Sequence, residues 1–276
     1  MTRRWQAAVV AVVVAVATIG LPAGGHAGVR MTPVAPGTRA MWLWTQAPAG
    51  AVADWAGTHG VKEIFAYVAP APSAAELARL RELRALTSAA GIRLVALGGE
   101  ARWAYDHAAA LAWLRAVDAT GLFAGYHVDV EPYLLPEWTT ARAATSTNYL
   151  ALLDKLRRSG KLPLEADVPF WYGQAQFAVN GRNLATEILN RVTAVTVMSY
   201  RDTGTGPNSI LEVSRDWLAR GAAAGKRVRL GAETGALADC SYCTFAEEGA
   251  TALGTELAKV DAATRQAYGY AGIAEQ

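Results

Sequence analysis

Cysteine is nearly absent from this 276-residue chain: its only two, Cys240 and Cys243, stand three apart in Cys-Ser-Tyr-Cys. A structural zinc site wants four ligands, and no second pair lies nearby. In an exported protein the spacing therefore reads as a local disulfide. Closing so short a loop stabilises by only about 2 kcal/mol, so its effect is to shape the loop. Net charge is also lacking. The formal balance is +2 and includes Arg3 and Arg4 of the leader described below, so the mature chain is near neutral. No basic patch for nucleic acid is implied. No Gly-rich phosphate loop follows the first apolar run, which argues against an open nucleotide-binding sheet, and no cofactor motif is present. Low-complexity segments and internal repeats are missing too.

At the start of the chain, Arg3 and Arg4 precede an apolar run from Ala7 to Leu21, and small residues follow up to Gly25-His26-Ala27. This is the pattern of a secretory signal peptide cleaved after Ala27. The run is shorter than the ~20 residues of a spanning helix, so no membrane association is expected after cleavage. No cysteine stands at the junction to carry a lipid anchor. Residues 28–276 remain as a single domain, expected to be monomeric, of the usual size for an eight-stranded α/β barrel of about 250 residues.

Eight apolar runs bounded by turn residues read as strands: Met41–Trp44, Val61–Ala69, Ile92–Gly99, Phe123–Glu131, Leu162–Trp171, Val192–Arg201, Arg227–Thr234 and Tyr268–Glu275. Helical stretches lie between them. The clearest are Ala74–Ala90, with Leu77, Leu80, Leu83 and Leu86 on one face, Asn148–Arg158 and Ile210–Ala224. Gly91, Gly160 and Gly225 stand where each should end. Strand-helix alternation with short connections predicts parallel strands, and eight of them predict an α/β (β/α)8 TIM barrel without a final helix.

Chemistry in such barrels sits at the carboxyl ends of the strands. The stretch Gly125-Tyr-His-Val-Asp-Val-Glu-Pro132 delivers His127, Asp129 and Glu131 to one face of a strand. Two carboxylates this close are costly inside a core unless something uses them. Other strand ends present Trp44, Tyr67, Glu100, Asp167 with Trp171, Met198 with Tyr200 and Asp202, and Glu233. Parity on the fifth strand puts Glu165, Asp167 and Trp171 on one side, and on the seventh Gly231 with Glu233. Acids in differing surroundings beside aromatic walls suit hydrolysis of a glycosidic bond, in which one acid protonates the leaving oxygen and a second group supports the anomeric carbon. Trp44, Trp138 and Trp171 are candidates to stack on sugar rings. Blander roles exist: Asp129 as partner of a core arginine, Tyr200 as a core tyrosine, Glu233 as a loop contact, His127 as a satisfied barrel histidine.

Three motifs in chain order resemble family 18 glycoside hydrolases, the chitinase-like barrels. Leu94-Val-Ala-Leu-Gly-Gly99 is similar to their Ser-x-Gly-Gly strand, Asp129-Val-Glu131 to the end of Asp-x-x-Asp-x-Asp-x-Glu, and Met198-Ser-Tyr200 to Met-x-Tyr-Asp. The resemblance implies Glu131 as the acid, Asp129 orienting the substrate's N-acetyl group, and Tyr200 bonding that group's carbonyl. His127 and Ala124 stand where the signature has aspartates, Arg201 replaces another, and the eighth strand lacks the family's tryptophan.

Three readings follow. The first is a secreted retaining glycoside hydrolase of an oligo- or polysaccharide, with Glu131, Asp129 and Tyr200 at the chemistry and either the substrate's acetamido group or Glu233 as nucleophile. Trp44, Tyr67, Asp167, Trp171, Met198 and Asp202 would bind substrate. The second is a carbohydrate-binding barrel without chemistry. The third is a metal-dependent hydrolase using His127, Asp129 and Glu131, though ligands at spacing two on one strand spread over ~13 Å.

Overall fold

Each of the eight apolar runs forms a strand: β1 (Arg39–Leu43), β2 (Val61–Tyr67), β3 (Arg93–Gly98), β4 (Tyr126–Val128), β5 (Leu164–Pro169), β6 (Ala194–Met198), β7 (Arg227–Ala232) and β8 (Tyr270–Glu275). They pair in parallel, in sequence order, and β8 closes on β1 to complete a barrel. The computed structural model describes residues 34–276. The leader over residues 1–27 lies outside the described residues, and among the described residues no helix is long and apolar enough to cross a membrane.

Seven connections carry the helices α1 (Ala49–Thr58), α2 (Ala74–Ala89), α3 (His107–Thr120), α4 (Pro136–Thr140), α5 (Arg142–Ser159), α6 (Leu184–Leu189), α7 (Ile210–Ala224) and α8 (Gly249–Thr264). Only Gln276 follows β8 in this sequence. Ser73 caps α2 by accepting from the Glu76 amide, and Gly91 and Gly225 take left-handed backbone at the ends of α2 and α7. Gly160 ends α5 differently. Its backbone is extended, and a Cβ there would lie 2.6 Å from the Tyr126 ring, so close approach, not handedness, requires glycine.

The leucine face of α2 is narrower than the spacing predicts. Glu76, Leu80, Leu83 and Thr87 are buried, whereas Leu86 is exposed. Steps of three residues turn ~300° each, so a leucine ladder from 77 to 86 winds halfway round the helix. α5 begins six residues before the expected Asn148, through a polar Ala/Thr/Ser stretch whose Thr145 and Ser146 are buried. That stretch has no apolar period to announce a helix.

Two apolar cores result. The larger lies between strands and helices and includes Trp113, Tyr149, Trp217 and Leu230. The smaller fills the barrel itself with Ala40, Trp42, Phe65, Val95, Leu97 and Ala274, while Trp44 and Tyr67 pack on it from above. The amino-terminal end of the interior is closed by ions. Arg229 pairs with Glu63 and with Glu165 (2.7 Å), and Arg93 pairs with Glu63 and with Glu165 (3.0 Å). Burial disfavours charge on Glu165, but Arg229, His127 and Arg93 outweigh it and hold the carboxyl well below the usual range. This charged floor leaves the other end of the barrel for chemistry.

Candidate active site

β4 carries the site and is shorter than expected. It stops at Val128, so Asp129 and Glu131 stand beyond the strand, with Glu131 opening a tight turn over Pro132–Leu134. The Asp129 amide still donates to the Gly98 carbonyl at 3.0 Å. The Gly-Gly pair of β3 makes this approach possible. A Cβ on Gly98 would meet the Trp113 ring at 2.4 Å, and one on Gly99 would meet the Asp129 carbonyl oxygen at 2.1 Å. With no side chain on Gly98 or Gly99, the backbone of Asp129 sits directly against the end of β3.

His127 lies below the acids, fully buried and stacked on Phe65 at 3.8 Å between ring centres. Its Nε2 is 2.8 Å from Asp167 Oδ1, and its Nδ1 is 3.6 Å from Glu165 Oε2. Burial opposes its charge, but Asp167 and Glu165 prevail and raise its pKa to about 9. The imidazole is therefore the cation of an internal pair, with Nε2–H donating to Asp167. Asp167 accepts at Oδ2 from the Trp42 indole (3.0 Å) and is only 2% exposed. Expected to bind substrate, it has both oxygens engaged by protein groups, and its charge acts on its neighbours.

Those neighbours are Asp129 and Glu131. Burial first, then the charges of Asp167 and Glu131, hold Asp129 well above the usual carboxylate range, against the opposing pull of His127. Its Oδ1 is buried with no hydrogen-bond partner, and no arginine pairs with it among the described residues. Burial also raises Glu131, with Asp167 adding and a hydrogen bond from the Tyr133 hydroxyl to Oε1 opposing. The acids thus stand crowded and partly desolvated, the condition under which a glutamate holds a proton for donation.

Tyr200 follows β6, and its hydroxyl donates to Gln276 Oε1 at 2.7 Å. Gly231 makes room for its ring, since a Cβ there would lie 3.2 Å from Tyr200 Cε1. Burial, then the charges of Asp167, Asp129 and Glu233, hold the phenol well above its ordinary value, so it stays a donor. Glu233 lies just past β7, 6% exposed, and its Oε1 accepts from the amides of Thr234 (2.8 Å) and Gly235 (2.6 Å). Met198 is half-buried at the end of β6 beside Pro169, and the Asp202 amide donates to the Tyr242 carbonyl at 3.0 Å.

The aromatic residues expected to stack on sugar fall into two of the ring clusters. Trp44 and Tyr67 lie 5.8 Å apart at the ends of β1 and β2, with the Trp44 indole N–H buried and unpartnered. Trp171 belongs to a turn over Phe170–Gly173, because β5 ends at Pro169 and the expected strand parity stops with it. There it packs with Tyr133, Trp138, Tyr172 and Phe177. Sequence reasoning missed Tyr133, Trp42 and Gln276. Trp42 shares parity with Trp44 and was available on that ground, and Tyr133 stands two residues after Glu131; Gln276 reaches Tyr200 only through barrel closure. Among the described residues no group of three or more His, Cys, Asp and Glu is arranged to hold a metal ion, and His127 turns to Asp167 instead of joining Asp129 and Glu131.

No family model matches the chain, and no curated protein is detectably similar in sequence. Solved structures are similar in fold. A GH18 chitinase from Pseudoalteromonas aurantia aligns at TM-score 0.56 and 12% identity, over 86% of this chain and 92% of that one. An endo-beta-N-acetylglucosaminidase from Cordyceps militaris aligns at 0.53 and 14%, over 87% and 81%. The spore cortex-lytic enzyme SleL of Bacillus cereus aligns at 0.50 and 10%, over 73% of this chain and about half of its own length, 52%. At these identities the likeness is one of fold: the chain has the barrel of the family 18 chitinases.

Proposed function

We propose that the chain is a secreted, divergent family 18-like glycoside hydrolase that cleaves an N-acetylated polysaccharide or cell-wall glycan with retention. The observation that carries the reading is the crowding of Asp129, Glu131 and Asp167 at the carboxyl end of the barrel, with Asp129 Oδ1 buried and unpartnered beside the raised Glu131. Glu131 donates its proton to the glycosidic oxygen, which takes the electron pair of the breaking bond. The substrate's acetamido carbonyl oxygen attacks the anomeric carbon. Asp129 receives the acetamido N–H, and Tyr200 moves from Gln276 to the acetamido oxygen. Glu131, now a carboxylate, then takes a proton from water as the water opens the cyclic intermediate.

This version is preferred to attack by Glu233, because two backbone amides already bond one of that carboxylate's oxygens and draw off its nucleophilicity. Trp44 with Tyr67, and Trp171 with Trp138, supply ring faces for sugars. The test is release of reducing ends from chitin, peptidoglycan, galactosaminoglycan and plant glycans by the mature protein. Cleavage confined to N-acetylated glycans supports substrate assistance; equal cleavage of glycans lacking the acetamido group contradicts it. Retention of a glycan on the folded protein without release would mark a binding barrel instead.

A further inference from the structure

Arg201 has no role in the chemistry above, yet it is held by two rings and two hydrogen-bond acceptors at the mouth of the barrel. It directly follows Tyr200 at the end of β6. Its guanidinium carbon lies 4.9 Å from the centre of the Phe170 ring, supplied by the loop after β5, and 5.6 Å from that of Tyr242, supplied by the loop after β7. Nε–H donates to Asn208 Oδ1 at 3.0 Å, and Nη1–H donates to the Tyr200 carbonyl at 2.6 Å. Asn208 adopts positive φ (55°) to offer that acceptor. Tyr242 is half exposed but fixed, because it lies inside the Cys240–Cys243 disulfide loop and its carbonyl accepts from the Asp202 amide. Three loops therefore aim one guanidinium.

What the clamp omits is an acid. Among the described residues no carboxylate lies within ion-pair distance of Arg201 and Nη2 makes no hydrogen bond, while Nη1 also reaches Cys243 Sγ at 3.9 Å. The group is half-buried, and burial lowers its pKa from the ordinary arginine value. A guanidinium packed over two rings, with its Nη2 amino group left for a ligand, is arranged for charge-assisted recognition of an anion. It also stands at the same end of the barrel as the acids Asp202 and Glu233, which would disfavour an anion there. A carboxylate-bearing ligand would need such a cation to enter.

We propose that Arg201 is the carboxylate-recognition residue of the glycan cleft, so that the substrate is an acidic glycan whose carboxylate crosses the β5–β7 side of the barrel mouth. The inference rests on the glycan-binding reading of the cleft but needs no turnover. Two sugar carboxylates share this chemistry: the lactyl ether of N-acetylmuramic acid and the uronate of a hexuronic acid.

The experiment is calorimetric titration of the full mature protein, in Glu131→Gln background so that ligands stay intact. The probes are alternating N-acetylglucosamine–N-acetylmuramic acid oligosaccharides and alternating N-acetylglucosamine–glucuronic acid oligosaccharides. Each is paired with its carboxyl-reduced form. The expected result is that one acidic ligand binds about ten- to hundredfold more tightly than its reduced partner. That ratio should collapse towards one in Arg201→Gln and be only partly kept in Arg201→Lys, which retains charge without the fork. The pair that shows the ratio identifies the carboxylate. A ratio unchanged by either substitution, a ratio near one in the parent for both pairs, or absence of binding would each overturn the proposal. Should Arg201→Gln fail to fold, the parent ratio and Arg201→Lys decide. A parent protein that shows no Glu131-dependent cleavage of any glycan, with the ratio intact, would instead refute the hydrolase reading alone.

Discussion

Replacing Gly99 by alanine tests whether the Gly-Gly end of β3 exists to seat the acid-bearing backbone. A Cβ at this position would stand 2.1 Å from the Asp129 carbonyl oxygen, 2.4 Å from its carbon and 2.7 Å from its amide nitrogen. Real Cβ contacts essentially never fall under 3.0 Å, so the oxygen must retreat by about 0.9 Å. All three atoms are backbone, so no rotamer change relieves the contact. Because Asp129 is followed within two residues by Glu131, the displacement carries both carboxylates. A misplacement of ~1 Å in a reacting group typically costs ~100-fold in rate, which corresponds to about 2.7 kcal/mol of barrier. The assay is kcat and KM on the cleaved glycan for Gly99→Ala beside Gly57→Ala, a position on α1 where a Cβ meets nothing within 4 Å. A folded Gly99→Ala protein with kcat within about threefold of the parent would refute the reasoning, because no loss near the size expected of a displaced reacting group would remain.

Other predictions concern charge. Tyr133→Phe removes the hydrogen bond that holds Glu131 down, so Glu131 keeps its proton to higher pH and the alkaline limb of the kcat/KM profile moves up; a limb that stays or falls contradicts this. His127 is raised to about 9 in the folded protein, above its ordinary 6.5. Its contribution to stability is therefore fully present below about pH 6.5 and is lost as pH rises towards 9, by about 3 kcal/mol. Urea unfolding at pH 6 and pH 9 checks it, and His127→Gln should flatten the difference. The double variant Cys240→Ser, Cys243→Ser should lose about 2 kcal/mol of stability and weaken any discrimination that depends on Arg201, since Tyr242 lies in that loop. Unchanged discrimination would separate the loop from the arginine.

Local signals carried far in this chain where they needed no partner. The Ser73 hydroxyl and the left-handed backbone of Gly91 bound α2, and alternation along β4 correctly turns His127 inward. The alternation stops being informative where the ladder ends. β4 closes at Val128 and β5 at Pro169, so the orientation of Glu131 and Trp171 is set by tight turns and aromatic packing, not by strand parity. Cys240 and Cys243 are bonded as their spacing suggests. The electrostatics of the site were not legible. Asp167 gives both its oxygens to groups distant in sequence, Trp42 and His127, and Tyr149 enters the neighbourhood of Asp129 from a helix, its phenol raised by burial and then by that charge. Only barrel closure brings such groups together.

The most direct measurement is kcat and glycan affinity of Glu131→Gln beside the parent on the glycan that the parent cleaves. The substitution keeps the shape of Glu131 and removes its proton. The expected result is a fall in kcat of about 10²–10⁴-fold with affinity preserved. A Glu131→Gln protein that turns over at the parent's rate would contradict the assignment of the acid, and with it the proposed function of the barrel.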